Sequence, residues 1–458
     1  MRRTPVLLLV AAVLAVVFVL SGGASPAQAR TATVAGELHR MVAAGTLDPV
    51  VAQGYEATDK QTRATLRKLH GFRRAQLGAV VDNLDAAAGG GLLIPSRLPA
   101  LFLTLQRNRT WWATAPIPVA GQRMTFAPSL IVWQFYPGQG LQIQWLGTFG
   151  KANALWAAKG HDPELRRILD EAIGLATQRA GGLAFEYLFR FDGGRPPWVS
   201  SLSQGTGLSA LARGAVRLKD PKYFAAARSA LGIFRTPPPS GVRVKTAAGA
   251  HYLQYSFAPK LHIVNGFTQS LNGLHDFAAL ADDAEGRTLF AAGEAELRAE
   301  LPGFDTGAWS LYAKPGAESD LSYHTLLRDF LKGLCDRLTG DGGSPDPALY
   351  CDTAARFTAD LKTKPVLTVT PPKRLHAKAS GSIKYTTNKV AIMTVTIAKG
   401  ATVVLQRTAR LGYGHHAIGF RPAQAGPHTV HVHAIDLAGN VADATATLAV
   451  APARKAKR

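Results

Sequence analysis

The spacing of apolar residues predicts a helical beginning for this chain. An amphipathic stretch begins at Glu37, and apolar residues recur at helical spacing from Thr62 to Leu84, which predicts one long helix there. The glycine run 89–91 then interrupts the pattern. We therefore expect residues 30–95 to form an N-terminal helical region.

The next part of the chain is predicted to be built from paired helices. Residues 96–150 combine short β-type runs, such as 130–136, with aromatic residues such as Trp111-Trp112, and residues 151–362 return to helical spacing. Helices joined by short loops predict an α/α toroid over 96–363, an incomplete barrel of helix pairs with a cleft at one end; a plain helical solenoid is the alternative. The predicted helices are 205–216, 222–234, 264–280, 285–297, 323–338 and 346–361.

After Lys364-Pro365 the pattern changes to β-type alternation. Short runs rich in β-branched residues follow one another, and 436–440 has turn composition. Short strands at this density predict an immunoglobulin-like β-sandwich over 364–452, which makes the chain a multidomain, mainly α protein. The predicted strands are 366–370, 382–387, 390–397, 401–406, 428–435 and 441–450.

The first 29 residues have the pattern of a secretory signal peptide. Arg2 and Arg3 form a positive segment, 6–20 is an unbroken apolar run, and 27–29 is a small-x-small cleavage site. We expect cleavage after Ala29 and a secreted, extracellular or cell-surface protein; an uncleaved membrane anchor is the alternative. No apolar run of about 18 residues follows residue 30, so no transmembrane span is expected after cleavage.

Charge adds a preference for anionic partners. The chain has 52 Lys/Arg against 31 Asp/Glu and a formal net charge of +21; thirteen of those cations and two of those anions lie in 365–458. A basic β-module suggests association with an acidic polysaccharide, a cell-wall polymer or an anionic surface, unless the charge serves solubility alone. Residues 453–458 are predicted to be a solvated basic tail, and no nucleic-acid partner is expected.

Composition bounds the remaining function classes. A chain that is 47% hydrophobic and 18% charged is not intrinsically disordered. Six of its 13 histidines lie in the β-module, but no acidic or cysteine partner stands at ligand spacing, and there is no nucleotide-binding loop. We therefore predict neither a metal site nor a cofactor.

Two cysteines flank a loop rich in glycine, aspartate and proline. Cys335 and Cys351 are 16 positions apart. In the oxidising compartment implied by a signal peptide, their expected fate is a disulfide that closes this loop, and the alternative is a pair of buried thiols.

Polar residues set among aromatic ones mark four segments of the helical part. Pyranose rings stack on aromatic faces, and sugar hydroxyls need amide and hydroxyl partners, so this composition predicts a carbohydrate site. The segments are 198–205, 252–255, 265–276 and 304–324.

These segments resemble, in order and spacing, the C-terminal domain of the D-glucuronyl C5-epimerase family. Residues 198–205 are similar to the family's Trp-x-Ser-x-x-x-Gln-Gly motif, and 264–276 to its Asn-Gly-Phe motif, with His275 in place of a tyrosine. Residues 301–312 are similar to its Leu-Pro-x-x-Asp-Thr-Gly segment, and 323–325 to its Tyr-His-Thr. The resemblance covers about residues 130–340 and implies an α/α toroid acting on glucuronate in a heparosan-type polysaccharide.

The resemblance also implies a proton-transfer mechanism. The C5 proton of glucuronate lies beside a carboxylate, so its removal needs one proton carrier on each ring face and neutralisation of the enediolate. In the family a Glu-Tyr pair and two later tyrosines carry the protons, which assigns catalysis to Tyr255, Tyr312 and Tyr323. Gln254 stands where the family has the glutamate and cannot accept a proton.

A tyrosine of ordinary pKa, about 10, needs help to act as a base. Lys260, His324 or a carboxylate of the ligand is a candidate helper, although His324 alternatively orients Tyr323 or is a hydrogen-bonded structural residue. The aromatic residues are candidates for stacking on sugar, or else belong to the core. The predicted substrate-binding set is Trp198, Gln204, Asn265, Phe267, Lys260 and Trp309.

Three functions fit these residues. The first is C5 epimerisation of uronate residues by the tyrosines. The second is a non-catalytic binder of acidic glycans, which keeps the cleft but lacks the base at position 254. The third is a uronate polysaccharide lyase, in which the same intermediate expels its C4 substituent.

Overall fold

The computed structural model describes residues 32–343 and 345–454. The predicted signal peptide and residues 455–458 of the predicted basic tail lie outside the described residues.

Helices form the N-terminal region, but with a break that the sequence pattern did not indicate. They are α1 (Val34–Ala43), α2 (Pro49–Lys68) and α3 (Gly71–Gly89). The prediction of one helix over 62–84 is wrong, because Leu69 and His70 are extended and Gly71 has a φ of +54°. The left-handed backbone at Gly71 turns the chain between the two helices. The apolar residues of both helices pack into one shared core, which is why their pattern continues across the break.

The region expected to be β-type is partly helical. Helix α4 (Leu98–Thr114) carries Trp111 and Trp112, and Trp112 is fully buried. The expected β-structure follows it as an antiparallel sheet in the order β1-β2-β3, made of β1 (Arg123–Met124), β2 (Trp133–Tyr136) and β3 (Gly140–Ile143). Adjacent aromatic residues occur in buried helices as well as in strands, so the sequence pattern did not predict helix α4.

The predicted helix pairs are present. Four helices pack side by side in the order α5, α7, α10, α12, and each is backed by the helix that follows it, α6, α8, α11 and α13. The bounds are α5 (Trp145–Ala157), α6 (Asp162–Gly174), α7 (Ser201–Leu218), α8 (Lys222–Ala230), α9 (Gly232–Arg235), α10 (Val264–Leu280), α11 (Ala284–Glu300), α12 (Leu321–Gly340) and α13 (Ala348–Asp360).

Helices α7 and α10 touch through their backbones. A Cβ on Gly205 would lie 2.6 Å from the Cα of Ser270, and one on Gly273 would lie 2.0 Å from the carbonyl oxygen of Gly205. Only glycine fits at these two positions, so the Gln-Gly and Asn-Gly-Phe segments contain the contact that draws the central helices together.

Short two-stranded sheets connect the helix pairs. The sheet β8–β9 matters most for function, because it pairs His262 with Lys314 and so joins the start of α10 to the loop that precedes α12. The strands are β4 (Thr177–Arg179), β5 (Gly182–Ala184), β6 (Arg243–Lys245), β7 (Ala250–Tyr252), β8 (His262–Ile263) and β9 (Ala313–Lys314), with 3₁₀ turns at Pro95–Arg97 and Leu301–Phe304.

The C-terminal region is a two-sheet β-sandwich. Its sheets have the orders β10-β12-β15 and β11-β17-β16-β13-β14, and side chains such as Ile383, Val395 and Val432 from both sheets share one core. The strands are β10 (Leu367–Thr370), β11 (Leu375–His376), β12 (Gly381–Thr387), β13 (Ala391–Lys399), β14 (Thr402–Leu411), β15 (Gly414–Phe420), β16 (Gly426–Asp436) and β17 (Val441–Ala451).

Strand β15 was not predicted because its glycine and histidine residues obscure the alternation; cross-strand pairing with β12 supplies its stability instead. The helices within the described ranges all fall short of the length and apolar character needed to cross a bilayer.

The predicted disulfide is confirmed. Cys335 on α12 and Cys351 on α13 are joined, with their Cα atoms 5.1 Å apart, so the bond ties the last helix pair together.

Replacing both cysteines by serine should lower the free energy of unfolding by about 3 kcal/mol, because the bond removes conformational freedom from a loop of 16 residues in the unfolded chain. Urea denaturation measures the difference. A reductant should shift the midpoint of the wild-type protein and leave that of the double variant where it is; equal midpoints for both proteins without reductant would contradict the prediction.

Candidate active site

A polar and aromatic cavity of about 340 Å³ opens between the ends of the central helices and the sheet β1-β2-β3. Its walls come from elements that are distant along the chain, and two of the predicted catalytic tyrosines stand in it. The lining residues are Arg123, Gln134, Tyr136, Gln144, Leu146, Tyr187, Phe191, Trp198, Ser200, Leu202, Ser203, Gln254, Tyr255, Asn265, Tyr323 and Leu326.

The three predicted catalytic tyrosines form one cluster around Gln254. The Nε2 atom of Gln254 lies 2.9 Å from the hydroxyl oxygen of Tyr255 and 3.5 Å from that of Tyr312. The rings of Tyr312 and Tyr323 are 4.5 Å apart. Tyr255 and Tyr323 line the cavity, and Tyr312 stands behind them, so a ligand in the cavity meets two phenol groups and the third contacts both.

Burial governs the acidity of Tyr255 and Tyr312. It raises the pKa of Tyr255, against hydrogen bonding from Gln254, which lowers it. The pKa of Tyr312 is raised strongly, first by burial and then by the neighbouring phenols of Tyr255 and Tyr323. On the opposite wall burial raises the pKa of Tyr136 to about 12. The phenols of Tyr255, Tyr312 and Tyr136 are therefore held in their neutral form at pH 7 unless a cation or ligand stabilises the phenolate.

The position of Gln254 is fixed by a glycine of α10. Gln254 is 7% exposed, and a Cβ on Gly266 would lie 2.3 Å from its Oε1 atom. The side-chain amide therefore needs the space that Gly266 leaves open in order to point its Nε2 atom at the tyrosines. This explains physically why the Asn-Gly-Phe segment accompanies the Gln254-Tyr255 pair.

The cavity is biased towards a negatively charged ligand. Among the described residues that line it, Arg123 is the one that is charged at neutral pH, and no carboxylate joins it. The exposed Arg123 side chain donates to Oε1 of Gln134 across β1 and β2. A ligand carboxylate would find a cation, amides and hydroxyls among these lining residues.

Several residues of the cavity wall were not predicted from the sequence. Arg123, Tyr136 and Tyr187 lie on short strands or loops between the predicted segments. The hydroxyl group of Tyr187 is hydrogen-bonded to that of Ser203 at 2.6 Å, and its ring stacks on Trp198 at 4.2 Å. The aromatic run at 133–136 was the available signal for this wall, and it indicated only a strand.

The structure places His324 outside the cavity and so decides its role. Its ring is fully buried and stacks on Trp309 at 3.7 Å. Its Nδ1 atom is hydrogen-bonded to Ser310, and its Nε2 atom to the carbonyl of Phe357. Burial lowers its pKa to about 4. His324 is therefore a neutral structural residue beneath Tyr323, the alternative that the sequence had left open, and its assignment as a proton carrier is corrected.

Four of the predicted substrate-binding residues are absent from the lining of the cavity. Trp309 is fully buried and donates from Nε1 to the carbonyl of Ser319. Phe267 packs in the core, Lys260 is on the surface, and neither lines the cavity. Gln204 is buried and donates to the carbonyls of Leu183 and Ala230. Gln204 and Phe267 lie on α7 and α10, and Trp309 packs against His324, so burial of these three corrects their assignment to substrate binding. The assignment of the exposed Lys260 stays a prediction.

Two predicted substrate-binding residues do line the cavity. Trp198 is 3% exposed and packed against Tyr187 and Phe191, so it shapes the wall and offers little free ring face to a sugar. Asn265 lies at the start of α10, where its Oδ1 atom accepts from the backbone N–H of Gly266.

One group among the described residues has the make-up of a metal site: His251, His262 and Glu300. The carboxylate of Glu300 is hydrogen-bonded to Nδ1 of both histidines, at 2.7 and 3.1 Å. Burial acts to raise the pKa of Glu300, but these two hydrogen bonds outweigh it and bring the pKa to about 2. Since Lys314 also approaches the backbone carbonyl of Glu300, hydrogen bonds account for this cluster as the link between β7, β8 and α11.

Comparison with known proteins shows which family the helical part resembles. The family described as D-glucuronyl C5-epimerase C-terminus matches residues 180–341. A D-glucuronyl C5-epimerase from Caenorhabditis elegans is 33% identical over 130 residues, which cover 26% of this chain and 21% of that protein. The resemblance inferred from the motifs is thereby confirmed over residues 180–341. The chain spans about a fifth of the curated relative.

Two solved structures are also similar in part. A sugar epimerase from a ruminal bacterium aligns with a TM-score of 0.35 and 10% identity, covering 48% of this chain and 58% of that chain. An unsaturated glucuronyl hydrolase specific for heparin aligns with a TM-score of 0.32 and 12% identity, covering 52% of this chain and 79% of that chain. Scores this low carry no argument about the fold.

Changing Gly266 to alanine should destabilise the protein by about 1–3 kcal/mol, because the added methyl group would displace the buried Gln254 side chain and break its contact with Tyr255. Urea denaturation followed by tryptophan fluorescence measures the change. The matched control is Gly150→Ala on α5, where a Cβ meets nothing within 4 Å and should stabilise the helix by about 0.5–1 kcal/mol. Equal destabilisation by both substitutions would contradict the account of position 266.

Proposed function

We propose that this protein is a C5-epimerase of glucuronate residues in a polysaccharide, of the heparosan type. The observation that carries the proposal is the tyrosine cluster of Tyr255, Tyr312 and Tyr323 at a cavity whose charged lining residue is Arg123. The family match over residues 180–341 supports the same activity.

The chemistry follows from the two phenols that line the cavity. Tyr255 or Tyr323, as its phenolate, takes the proton from C5, and the electron pair of that C–H bond moves into the carboxyl group to form an enediolate. The hydroxyl group of the other tyrosine returns a proton to C5 from the opposite ring face, which inverts that carbon. Arg123 stabilises the negative charge that gathers on the carboxyl group.

The side chains of Gln254 and Tyr312 support the two cavity tyrosines. The amide of Gln254 donates to Tyr255 and so stabilises a phenolate oxygen there, although it cannot itself accept a proton. Tyr312 lies 3.5 Å from the amide nitrogen of Gln254 and packs its ring against Tyr323, so it helps to place both groups. Proton transfer therefore rests on phenols alone at neutral pH, and we expect slow turnover.

The rest of the chain suits an extracellular glycan enzyme. We infer that the four helix pairs form an incomplete α/α toroid, that the sandwich is immunoglobulin-like, and that the first 29 residues direct secretion. The basic β-module, with thirteen Lys/Arg over residues 365–458, would associate with acidic polysaccharide, a cell-wall polymer or an anionic surface.

A second function has one observation in its favour. Because Gln254 replaces the carboxylate of the family, a non-catalytic binder of acidic glycans would keep every other feature of the cavity. Such a protein would bind a glucuronate polymer without moving its C5 proton.

Incubation of the full-length protein with a glucuronate-containing polymer in heavy water should place deuterium at C5, and the Tyr323→Phe variant should lose this exchange by at least about a hundredfold, because it removes a proton carrier. Nuclear magnetic resonance of the polymer measures the deuterium. Tyr385→Phe, in the core of the sandwich, is the control that should keep full exchange.

The other outcomes of this experiment identify the rival functions. Binding without exchange in the wild-type protein would support the glycan binder, and a rise in ultraviolet absorbance from an unsaturated uronate would support the lyase. Full exchange by a folded Tyr323→Phe protein would remove this tyrosine from the mechanism.

The exchange rate should rise with pH from 7 to 9, because the pKa of Tyr255 is raised and the phenolate fraction grows about tenfold per pH unit below that pKa. Gln254→Glu should raise the rate at pH 7 at least about tenfold and flatten the pH profile, because a carboxylate there accepts protons at neutral pH.

The control for this substitution is Gln178→Glu, which adds the same charge at an exposed position of β4 and should leave the pH profile unchanged. A folded Gln254→Glu protein with the wild-type rate and profile would place Gln254 outside the proton path.

A further inference from the structure

A glutamate in the loop between Tyr312 and Tyr323 accepts hydrogen bonds from the backbone of the β-sandwich. The Oε1 atom of Glu318 accepts the N–H of Val390 at 2.8 Å, and its Oε2 atom accepts the N–H of Tyr413 at 2.6 Å. Val390 directly precedes β13, and Tyr413 lies in the turn between β14 and β15. One half-buried carboxylate thus fixes two separate points of the sandwich to the helical part.

Glu318 lies between two tyrosines of the cluster. It pairs with Leu311 in an isolated β-bridge, and the N–H of Tyr312 donates to the carbonyl of Ala317 at 3.1 Å. Two residues after Glu318, the side chain of Asp320 caps α12 by accepting the N–H of Tyr323 at 2.8 Å. The backbone that carries Tyr312 and Tyr323 is therefore attached on both sides of Glu318.

A second contact between the helical part and the sandwich lies close to the same loop. The Nζ atom of Lys389 is fully buried, where it pairs with Asp436 of β16 at 2.9 Å and donates to the carbonyl of Asp360 at the end of α13 at 2.8 Å. It also lies 5.5 Å from the ring centre of Trp309, which stacks on His324 beneath Tyr323. Such a buried, fully paired cation holds one geometry, because moving it would leave a charge unpaired.

We propose that the β-sandwich is a structural part of the active site, and that Glu318 is the positioning residue through which it holds Tyr312 and Tyr323 at the cavity. The catalytic consequence rests on the proposed epimerase function, whereas the anchoring of the loop does not. Glu318 acts through the tyrosines and is absent from the cavity lining, so its loss should affect the placement of the proton carriers more than the affinity for substrate.

The test compares full-length wild-type protein with Glu318→Ala and Glu318→Gln. Alanine removes both acceptors, and glutamine keeps one. Glu285→Ala is the matched control, because Glu285 is also a partly exposed glutamate with one polar partner, Arg235, on a helix far from the cavity. Thermal unfolding of each variant establishes that it is folded.

Hydrogen–deuterium exchange of backbone amides is the first measurement, and it is independent of activity. In Glu318→Ala, peptides that cover residues 305–323 should exchange at least about tenfold faster than in wild type, while peptides of α7 and α10 stay protected. Glu318→Gln should give an intermediate rate, and Glu285→Ala the wild-type rate. Wild-type protection of the loop in a folded Glu318→Ala protein would overturn the proposal.

Steady-state kinetics of C5 exchange is the second measurement. Glu318→Ala should lower kcat at least about tenfold and change KM less than about threefold, the split expected when a proton carrier is misplaced. Loss of loop protection with an unchanged kcat would overturn the positioning role. Absence of C5 exchange in wild-type protein would instead refute the proposed function, and amide exchange would still decide whether the sandwich holds the loop.

Discussion

The close approach of α7 and α10 is the constraint on which the site depends. Gly205 and Gly273 bring the two backbones into contact, and any side chain at either position would force the helices apart. Because these helices begin at the cavity, their separation sets the distance between Ser203 on one wall and Asn265 on the other. A third glycine, Gly266, then admits the Gln254 side chain beneath the tyrosines. The geometry of the site thus depends on three glycines at which a methyl group would not fit.

Burial gives the site its second property. Desolvation favours the neutral form of Tyr255 and Tyr312, and the described lining offers Arg123 but no carboxylate. An anionic ligand would therefore bring the missing negative charge, and its desolvation would be offset by the cation and by amide and hydroxyl donors. With glutamine at position 254 the balance shifts towards binding, because a phenol is a far weaker base than a carboxylate at pH 7. The cavity thus combines one cation with neutral phenols of low basicity.

The third property is the union of the helical part with the sandwich. A buried lysine that loses its partner typically costs 3–5 kcal/mol, so the pairing of Lys389 with Asp436 and with the end of α13 makes separation of the two parts unfavourable. Glu318, in the loop between Tyr312 and Tyr323, adds a second polar contact between the two parts. The sandwich is thereby attached to the loop between Tyr312 and Tyr323 by direct hydrogen bonds.

The sequence by itself determined the helix pairs, most of the strands, the disulfide and the tyrosine segments, because these follow from local periodicity, turn residues and ordered motifs. It did not determine α4, whose adjacent tryptophans fit a buried helix or a strand equally well, nor the break at Leu69 and His70. Only the tertiary structure decided that Arg123 and Tyr187 face the same cavity as Tyr255, and that His324 and Gln204 are structural. A cavity wall is a relation between residues far apart in the chain, and burial, which sets both pKa and access to a ligand, exists only once those residues are packed together.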